Sequence, residues 1–165
     1  MSGDTSRSHP LDVRVAHIDD ADVVARLLHD FNLEFDTPTP GSAVLAERLR
    51  GMLGRDDVVA LLAGDPAAGV ALLTFRPCVW DSGPVVLLEE LYVRPDVRRR
   101  GIGHALLERA VALAEDRGSQ TFEINVDEGD ADARRFYEAH GFSDLQPDTN
   151  ERATYYSRSL PVAPS

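Results

Sequence analysis

A short arginine- and glycine-rich turn between a strand pattern and a helical pattern constrains the fold of this chain more than any other stretch. An apolar strand pattern runs over residues 85–93, and a helical pattern follows from Gly103. The turn between them holds three consecutive arginines and Gly101. A glycine-rich turn that opens a helix presents backbone N–H groups without intrahelical partners, together with the positive end of the helix dipole. The turn is therefore a candidate anion site, and phosphate is the usual ligand of such a site.

The distribution of charge favours an anionic ligand at this turn. The formal net charge of the chain is −11, which argues against general nucleic-acid binding. Residues 94–100 hold four arginines and one aspartate, a net charge of +3, so the remaining residues together carry −14. The turn thus suits a polyanion, whereas its surroundings favour cations. The alternative is a chance basic turn in an acidic protein.

Length and cysteine content indicate one metal-free domain. With 165 residues, we expect a single domain over residues 11–160, between a disordered tail at 1–10 and a short tail at 161–165. Cys78 is the only cysteine, so neither an intramolecular disulfide nor a cysteine-based metal site can form. The histidines lack the spacing of metal ligands, and no metal is expected. The sequence has no visible targeting segment or membrane-spanning run, which predicts a cytoplasmic protein that binds no membrane.

The apolar periodicities predict the element order β-α-α-β-β-β-α-β-α-β. An N-terminal helix is expected to be capped by Asp19 or Asp20, and a second helix by Ser42. Strands are predicted at residues 13–16, 58–63, 69–75, 85–93, 121–126 and 152–159. This order indicates a mixed α/β domain whose helices pack on a largely antiparallel sheet.

Two familiar phosphate-binding turns do not fit. The mononucleotide P-loop requires a lysine after its last glycine, and this chain contains no lysine. The dinucleotide fingerprint requires a third glycine, where this chain has Leu106. It also requires the glycines directly after the strand, whereas a seven-residue loop, 94–100, intervenes here.

A third family fits. Residues 98–103, RRRGIG, resemble the Gln/Arg-x-x-Gly-x-Gly/Ala pyrophosphate loop of the GNAT superfamily of N-acetyltransferases. Residues 88–95, LEELYVRP, resemble the fourth strand of that family, and 133–142, ARRFYEAHGF, resemble its Ala-x-x-Phe-Tyr-x-x-x-Gly-Phe motif. The resemblance covers about residues 85–145, and the rest matches only in element order. It implies a mixed, mostly antiparallel sheet of six to seven strands, splayed between strands 4 and 5 and flanked by four helices.

The resemblance implies acetyl-CoA as co-substrate. The backbone N–H groups of residues 99–104 would hold the diphosphate, the arginines would offset its charge, and the pantetheine arm would pair with the fourth strand like an extra strand. Where the family often has asparagine, this chain has Asp130, which accepts hydrogen bonds but does not donate them when ionised. Asp130 therefore either contacts CoA or serves only as a helix N-cap. The residues implied at the CoA site are Leu91, Tyr92, Val93, Arg98, Arg99, Arg100, Gly101, Ile102, Gly103, His104, Asp130, Ala133 and Tyr137.

The resemblance also implies a general acid for the departing thiolate. Tyr137 occupies the position of the family's tyrosine acid. An unperturbed phenol pKa of about 10 is not far above a thiol pKa of about 8.5, so the proton transfer is not strongly uphill. We therefore expect Tyr137 to act as the acid, with simple packing against Phe136 as the structural alternative.

Glu89 is the candidate base that deprotonates the acceptor amine, directly or through water. In polyamine-acetylating members of the family, the glutamate nine residues before the first arginine of the loop has this role, and here that residue is Glu89. Strand alternation predicts Glu89 on one face with Leu91 and Val93, and Glu90 on the other with Tyr92. Only one glutamate would then face the acceptor. Glu90 is the fallback, and a solvated carboxylate without catalytic function is the alternative.

The expected reaction is direct transfer of acetyl to a primary amine in a ternary complex. The amine belongs to a small polyamine-like or aminoglycoside-like molecule or to a protein. Residues expected near it are Phe31, Glu34, Asp36 and Glu90, since carboxylates beside an aromatic wall attract a cation. The alternatives are an acyl-CoA-binding regulatory module without catalysis and a transferase for a longer acyl-CoA. Homodimers are frequent in the family, and the sequence does not decide between a monomer and a homodimer.

Overall fold

The computed structural model describes residues 11–163, which form two compact units, residues 11–124 and 125–163. The tail expected at residues 1–10 lies outside the described residues, as do the last two residues of the tail expected at 161–165.

The first unit is built on a five-stranded sheet. Its order is β1-β2-β3-β4-β5, and every neighbouring pair is antiparallel except β4 and β5, which are parallel. The predicted mixed, mostly antiparallel sheet is confirmed. The predicted six to seven strands are not matched, because the described residues contain five. The strands are β1 (Val13–Val15), β2 (Val58–Ala63), β3 (Gly69–Arg76), β4 (Val85–Val93) and β5 (Phe122–Ile124).

The strand predicted at residues 152–159 does not form. The only pairing there is an isolated bridge between Leu145 and Arg152. Further on, Tyr155 and Tyr156 are 75% and 89% exposed. The composition of this stretch suits a strand, but a strand also needs a hydrogen-bonded neighbour. The local pattern does not specify that neighbour, and this is why the prediction is wrong.

Within residues 11–163, four α-helices accompany the strands, as predicted. Three of them belong to the first unit and the fourth to the second. They are α1 (Ala21–Glu34), α2 (Ser42–Leu53), α3 (Ile102–Asp116) and α4 (Ala131–Ala139). None of the helices within residues 11–163 is long and apolar enough to cross a bilayer.

Helices cover both faces of the central strands, and this explains their continuous apolar sequence. Every residue of β2 is buried. On β3, Val70 and Leu72 belong to the core beneath α1 and α2, so the alternate residues between and beyond them point towards α3. At the start of β3, a Cβ on Gly69 would lie 3.0 Å from side-chain atoms of Ile102 and Leu106 on α3. The sheet therefore forms the middle layer of the first unit.

Two predicted helix caps lack the expected side-chain bond. Asp20 occupies the N-cap position of α1, as predicted, but its side chain makes no cap bond to this helix. Its carboxylate instead accepts from the His17 N–H at 2.7 Å and from the Arg14 guanidinium. Ser42 is the first residue of α2, and Gly41 occupies the N-cap without a side-chain bond. An acid near a helix start can satisfy a preceding turn instead of the helix, and sequence alone does not choose between these uses.

Candidate active site

The two halves of β4 have different neighbours. Within residues 11–124, β5 pairs with β4 only at Val86–Leu88, opposite residues 122–124. β3, on the other side, pairs with β4 through to Val93. The last residues of β4 therefore have a backbone edge that β5 does not cover. This is the edge at which the resemblance implies the pantetheine arm.

A β-bulge at Glu89 sets the direction of both glutamates. Leu72 pairs with Glu90 and Leu73 pairs with Leu88, so Glu89 is an extra residue without a partner on β3. The Glu89 side chain accepts from the Thr74 hydroxyl, with Oε1 and Oγ1 2.7 Å apart. On β3, Thr74 and Leu72 share the face that carries α1 and α2. The prediction that alternation separates the two glutamates is therefore wrong, because the bulge interrupts the two-residue period.

The two carboxylates differ in environment. Glu89 is exposed and hydrogen-bonded, whereas Glu90 is half-buried. Burial and, to a smaller extent, the negative charge of Glu89 raise the pKa of Glu90 above its ordinary value. Glu89 is therefore the more accessible carboxylate, whereas burial favours the protonated form of Glu90.

The raised pKa of Glu90 predicts a stability effect. A raised pKa in the folded state means that folding favours the protonated carboxyl. The stabilisation that comes from the protonated Glu90 carboxyl is present below the pKa of this group in the unfolded chain. It is lost as pH rises through the pKa of Glu90 in the folded protein. We expect Glu90→Gln to raise Tm at pH 7.5, by a few degrees at most, and to lose this advantage near pH 4. Thermal unfolding followed by circular dichroism across this range measures the effect.

Glu108→Gln is the matched control, because Glu108 is exposed on α3 and the substitution removes the same charge. It should leave Tm nearly unchanged at each pH. An equal gain from both variants would assign the effect to net charge, and a loss of stability in Glu90→Gln at pH 7.5 would contradict the prediction.

The backbone of the loop after β4 turns sharply at two positions. A 3-10 turn over Pro95–Val97 follows the strand. Arg99 then has a φ of 61° and Gly101 a φ of 82°, in the left-handed region that glycine enters readily and arginine rarely. The first intrahelical bond of α3 runs from the Ala105 N–H to the Gly101 carbonyl, at 2.9 Å. The N–H groups of the first helical turn precede this bond, as an anion site at a helix start requires. The loop geometry thus fits a diphosphate.

Two predicted site residues from opposite halves of the first unit contact each other. Arg98, expected at the diphosphate, donates two hydrogen bonds to the carboxylate of Glu34, at 2.6 and 2.7 Å. Arg98 lowers the pKa of Glu34 below its ordinary value. Glu34 was expected near the acceptor amine, and its charge is already paired in this structure. Arg99 and Arg100, which follow Arg98 in the chain, are exposed.

An aromatic cluster continues from this ion pair into the core. Tyr92 is 4% exposed and stacks on Phe31, with ring centroids 5.2 Å apart. Phe31 also meets Phe35 edge to face at 5.3 Å, and Phe35 is 58% exposed. The Tyr92 side chain is therefore a core group, and only its backbone lies on the strand edge. The exposed ring of Phe35 and the exposed Asp36 mark the end of α1.

In the second unit, Asp130 is a helix cap. It is the N-cap of α4, and its Oδ1 accepts from the Ala133 N–H at 3.0 Å. One of the two roles considered for Asp130 is thus observed. A carboxylate at this position also interacts favourably with the positive end of the helix dipole.

The Phe-Tyr and Gly-Phe parts of the second motif form one C-terminal cap. Gly141 has a φ of 85°, and its N–H bonds to the Glu138 carbonyl at 3.1 Å. The Phe142 N–H bonds to the Tyr137 carbonyl, also at 3.1 Å. The Phe142 ring packs edge to face on Tyr137, with centroids 6.0 Å apart. These are the two bonds and the apolar contact of a Schellman motif. The motif therefore holds the half-buried Tyr137 side chain in place.

Sequence reasoning missed the bulge and the hydroxyl of Thr74. A signal for the bulge was present, because Glu89 and Glu90 are adjacent acids inside an apolar strand and break its two-residue period. Nothing in the local pattern singled out Thr74. Among the described residues, no group of three or more His, Cys, Asp or Glu side chains is arranged to hold a metal ion.

The fold and the loop define a class of site, in which a glycine-rich turn opens a helix beside a strand edge that β5 does not cover. Residues 24–142 match the Acetyltransferase (GNAT) family. This match spans well over half of the chain, and the chain belongs to that family. It is therefore an acyltransferase, and the family uses acetyl-CoA as co-substrate.

Known relatives agree with this assignment. A thialysine N-epsilon-acetyltransferase from Caenorhabditis elegans is 27% identical over 129 residues, which are 77% of this chain and 79% of the relative. An aminoglycoside N(6')-acetyltransferase type 1 from Klebsiella aerogenes is 33% identical over 105 residues, covering 61% of this chain and 69% of the relative. The crystal structure of a candidate acetyltransferase from Arthrobacter sp. FB24 has a TM-score of 0.86 and 52% identity, and the match covers 95% of this chain and 100% of the other.

Proposed function

We propose that this protein transfers the acetyl group of acetyl-CoA directly to the primary amine of a cationic acceptor. The observation that carries this proposal is the family match across residues 24–142, which spans both the arginine-glycine loop and the Phe-Tyr motif. The loop geometry and the open edge of β4 support acetyl-CoA as the donor.

The donor site combines two kinds of backbone contact. Residues 99–104 supply N–H groups at the start of α3, and the exposed Arg99 and Arg100 offset the charge of the diphosphate. The pantetheine arm pairs with the backbone of Leu91–Val93. Because these contacts use main-chain atoms, single substitutions of the strand side chains test them poorly.

A cationic amine is the acceptor that the charges favour. The relatives named above act on thialysine and on aminoglycosides, as their names state. Outside the loop this chain is strongly acidic, which raises the local concentration of cations. The exposed Phe35 ring and Asp36 lie at the end of α1, on the face of the sheet that also carries Glu89 and Glu90. Aromatic and carboxylate groups together suit an ammonium ion.

The reaction forms one C–N bond and breaks one C–S bond. Glu89, directly or through one water, takes a proton from the ammonium form of the acceptor. The free amine nitrogen then attacks the thioester carbonyl carbon, and backbone N–H groups stabilise the oxyanion. When the C–S bond breaks, the sulfur takes a proton from the Tyr137 hydroxyl. The nitrogen loses its second proton to solvent, from which Tyr137 recovers its own, and Glu89 releases the proton it took, so the net products are the acetylamide, free CoA and one proton.

An amine panel with acetyl-CoA tests the proposal by the release of CoA thiol. We expect thiol release to depend on the amine and to be fastest with polycationic acceptors, such as polyamines, aminoglycosides and lysine-containing peptides. Mass spectrometry should find an added acetyl group on the amine nitrogen. Turnover confined to neutral or anionic acceptors would contradict the acceptor class.

Two further measurements distinguish this function from the other two considered for the sequence. Tight binding of acetyl-CoA without thiol release from any amine would indicate a regulatory acyl-CoA-binding module. Faster turnover with butyryl-CoA or longer acyl-CoA than with acetyl-CoA would indicate a wider acyl specificity.

A further inference from the structure

The side chain of Arg98 makes three hydrogen bonds within the protein. Its two terminal nitrogens bond to both oxygens of Glu34, at 2.6 and 2.7 Å. Its Nε donates to the backbone carbonyl of Val93 at 2.9 Å. One guanidinium thus links the end of α1, the end of β4 and the loop that begins at Arg98. Arg99 and Arg100, the next two arginines, are both exposed.

The Arg98 bonds lie directly before the strained part of the loop. Arg98 is in an extended conformation, and Arg99 follows with a φ of 61°. A non-glycine residue keeps a positive φ only where its surroundings over-determine the backbone. The bond from Arg98 to the Val93 carbonyl closes the loop on the strand that precedes it. The bidentate bond to Glu34 fixes the direction of the Arg98 side chain. These contacts fix the position of the backbone that leads into Arg99.

The aromatic side chains of Tyr92 and Phe31 support the Arg98–Glu34 pair. The Arg98 guanidinium lies 5.7 Å from the ring centroid of Tyr92, and the buried Tyr92 stacks on Phe31 of α1. The side chains of Arg98 and Glu34 are 39% and 27% exposed. Exposed ion pairs contribute little to global stability, so orientation of the loop is the larger consequence of this pair.

We propose that Arg98 is a positioning residue, whose pair with Glu34 fastens the CoA loop to α1 and holds the loop in its binding conformation. In this arrangement Arg98 does not contact the diphosphate, and Arg99 and Arg100 supply the positive charge. Glu34 contributes to donor binding through Arg98, although it is an acid. This inference rests on the proposed function, because it concerns the site for acetyl-CoA.

The substitution Glu34→Gln distinguishes positioning from direct contact by the sign of its effect. If Arg98 bound the diphosphate itself, removing its anionic partner would free the guanidinium and tighten CoA binding or leave it unchanged. If Arg98 positions the loop, Glu34→Gln weakens CoA binding, on the order of tenfold, as expected for the loss of a charge-assisted pair. The Kd for CoA is measured by isothermal titration calorimetry without any amine, so that acceptor binding does not contribute.

A double-substitution cycle gives the second readout. In the positioning arrangement, Arg98→Ala weakens binding less in the Glu34→Gln background than in the wild-type background, because the bond to Glu34 is already altered and only the bond to the Val93 carbonyl remains to be lost. Full additivity of the two losses would overturn the proposal. Arg98→Lys keeps the charge but not the two-pronged geometry, and it should resemble Arg98→Ala.

Controls keep the outcomes separate. Glu108→Gln removes one negative charge from the exposed face of α3 and should leave Kd unchanged or slightly lower. Far-UV circular dichroism and Tm of each variant confirm that it folds. Tighter CoA binding in Glu34→Gln would overturn this inference and leave the proposed function intact. A wild-type protein that does not bind CoA or acetyl-CoA would overturn the proposed function as well.

Discussion

Replacing Tyr137 with phenylalanine is expected to lower kcat for acetyl transfer by about 10²- to 10⁴-fold, the usual contribution of a positioned general acid. The substitution removes only the hydroxyl. The ring contacts with Phe136 and Phe142 and the C-terminal cap of α4 should persist. The departing thiolate would then have to leave without a proton or take one from water. Steady-state thiol release with a saturating amine measures the loss.

The affinity for CoA should change little in this variant, because the proposed role of Tyr137 is in the departure of the thiolate. A second tyrosine serves as the matched control. Tyr156 is 89% exposed, and Tyr156→Phe should retain wild-type kcat. If Tyr137→Phe kept more than about half of the wild-type kcat, Tyr137 would be a packing residue of α4 and the acid would have to be sought elsewhere.

Glu89→Gln is expected to lower kcat/KM for the amine by about 10²-fold at neutral pH, at the lower end of the range for general base catalysis. An alkyl ammonium group has a pKa near 10.4, so almost none of the acceptor is a free amine at pH 7. Glutamine keeps an acceptor for the Thr74 hydroxyl, which now bonds to Glu89 at 2.7 Å, but it cannot take a proton. Initial rates against amine concentration between pH 6 and 9 measure the effect.

The loss in Glu89→Gln should shrink as pH rises, because more of the acceptor then arrives already deprotonated. Thr74→Val and Thr74→Ser form a matched pair at the residue that holds the carboxylate, and only the first removes the hydroxyl. A defect in Thr74→Val that Thr74→Ser restores would support an oriented carboxylate. If Glu90→Gln caused the greater loss of activity, the base would be Glu90. Equal and small losses in both variants would assign deprotonation to solvent.

These expectations depend on features that sequence and structure reveal to different degrees. The bounds of β2 and β4 follow from apolar runs, and the structure has them as predicted, at Val58–Ala63 and Val85–Val93. A strand that is covered on both faces, such as β2, is apolar throughout, so its limits are visible in the sequence. The strand predicted at residues 152–159 failed because its hydrogen-bonding neighbour is not encoded locally.

The directions of the Glu89 and Glu90 side chains could not be predicted correctly from the sequence. Regular alternation predicts Glu89 and Glu90 on opposite faces, and one extra residue in β4 places them on the same face. A bulge is a property of two paired strands, since it exists only relative to the residues opposite. The adjacent acids hinted at an interruption, but the register with β3 had to be known before the side chains could be placed.

By itself, the sequence determined the family, the loop and the two motifs, because these consist of residues close together in the chain whose backbone geometry is local. Gly101, at the start of α3, and Gly141, at the end of α4, have the positive φ angles that such turns require. Only the tertiary structure decided what the side chains of the loop contact. Arg98 and Glu34 are 64 residues apart in the chain, and nothing in either local pattern indicates that they meet. Their pairing comes from the packing of α1 against β4, which depends on the whole core of the first unit.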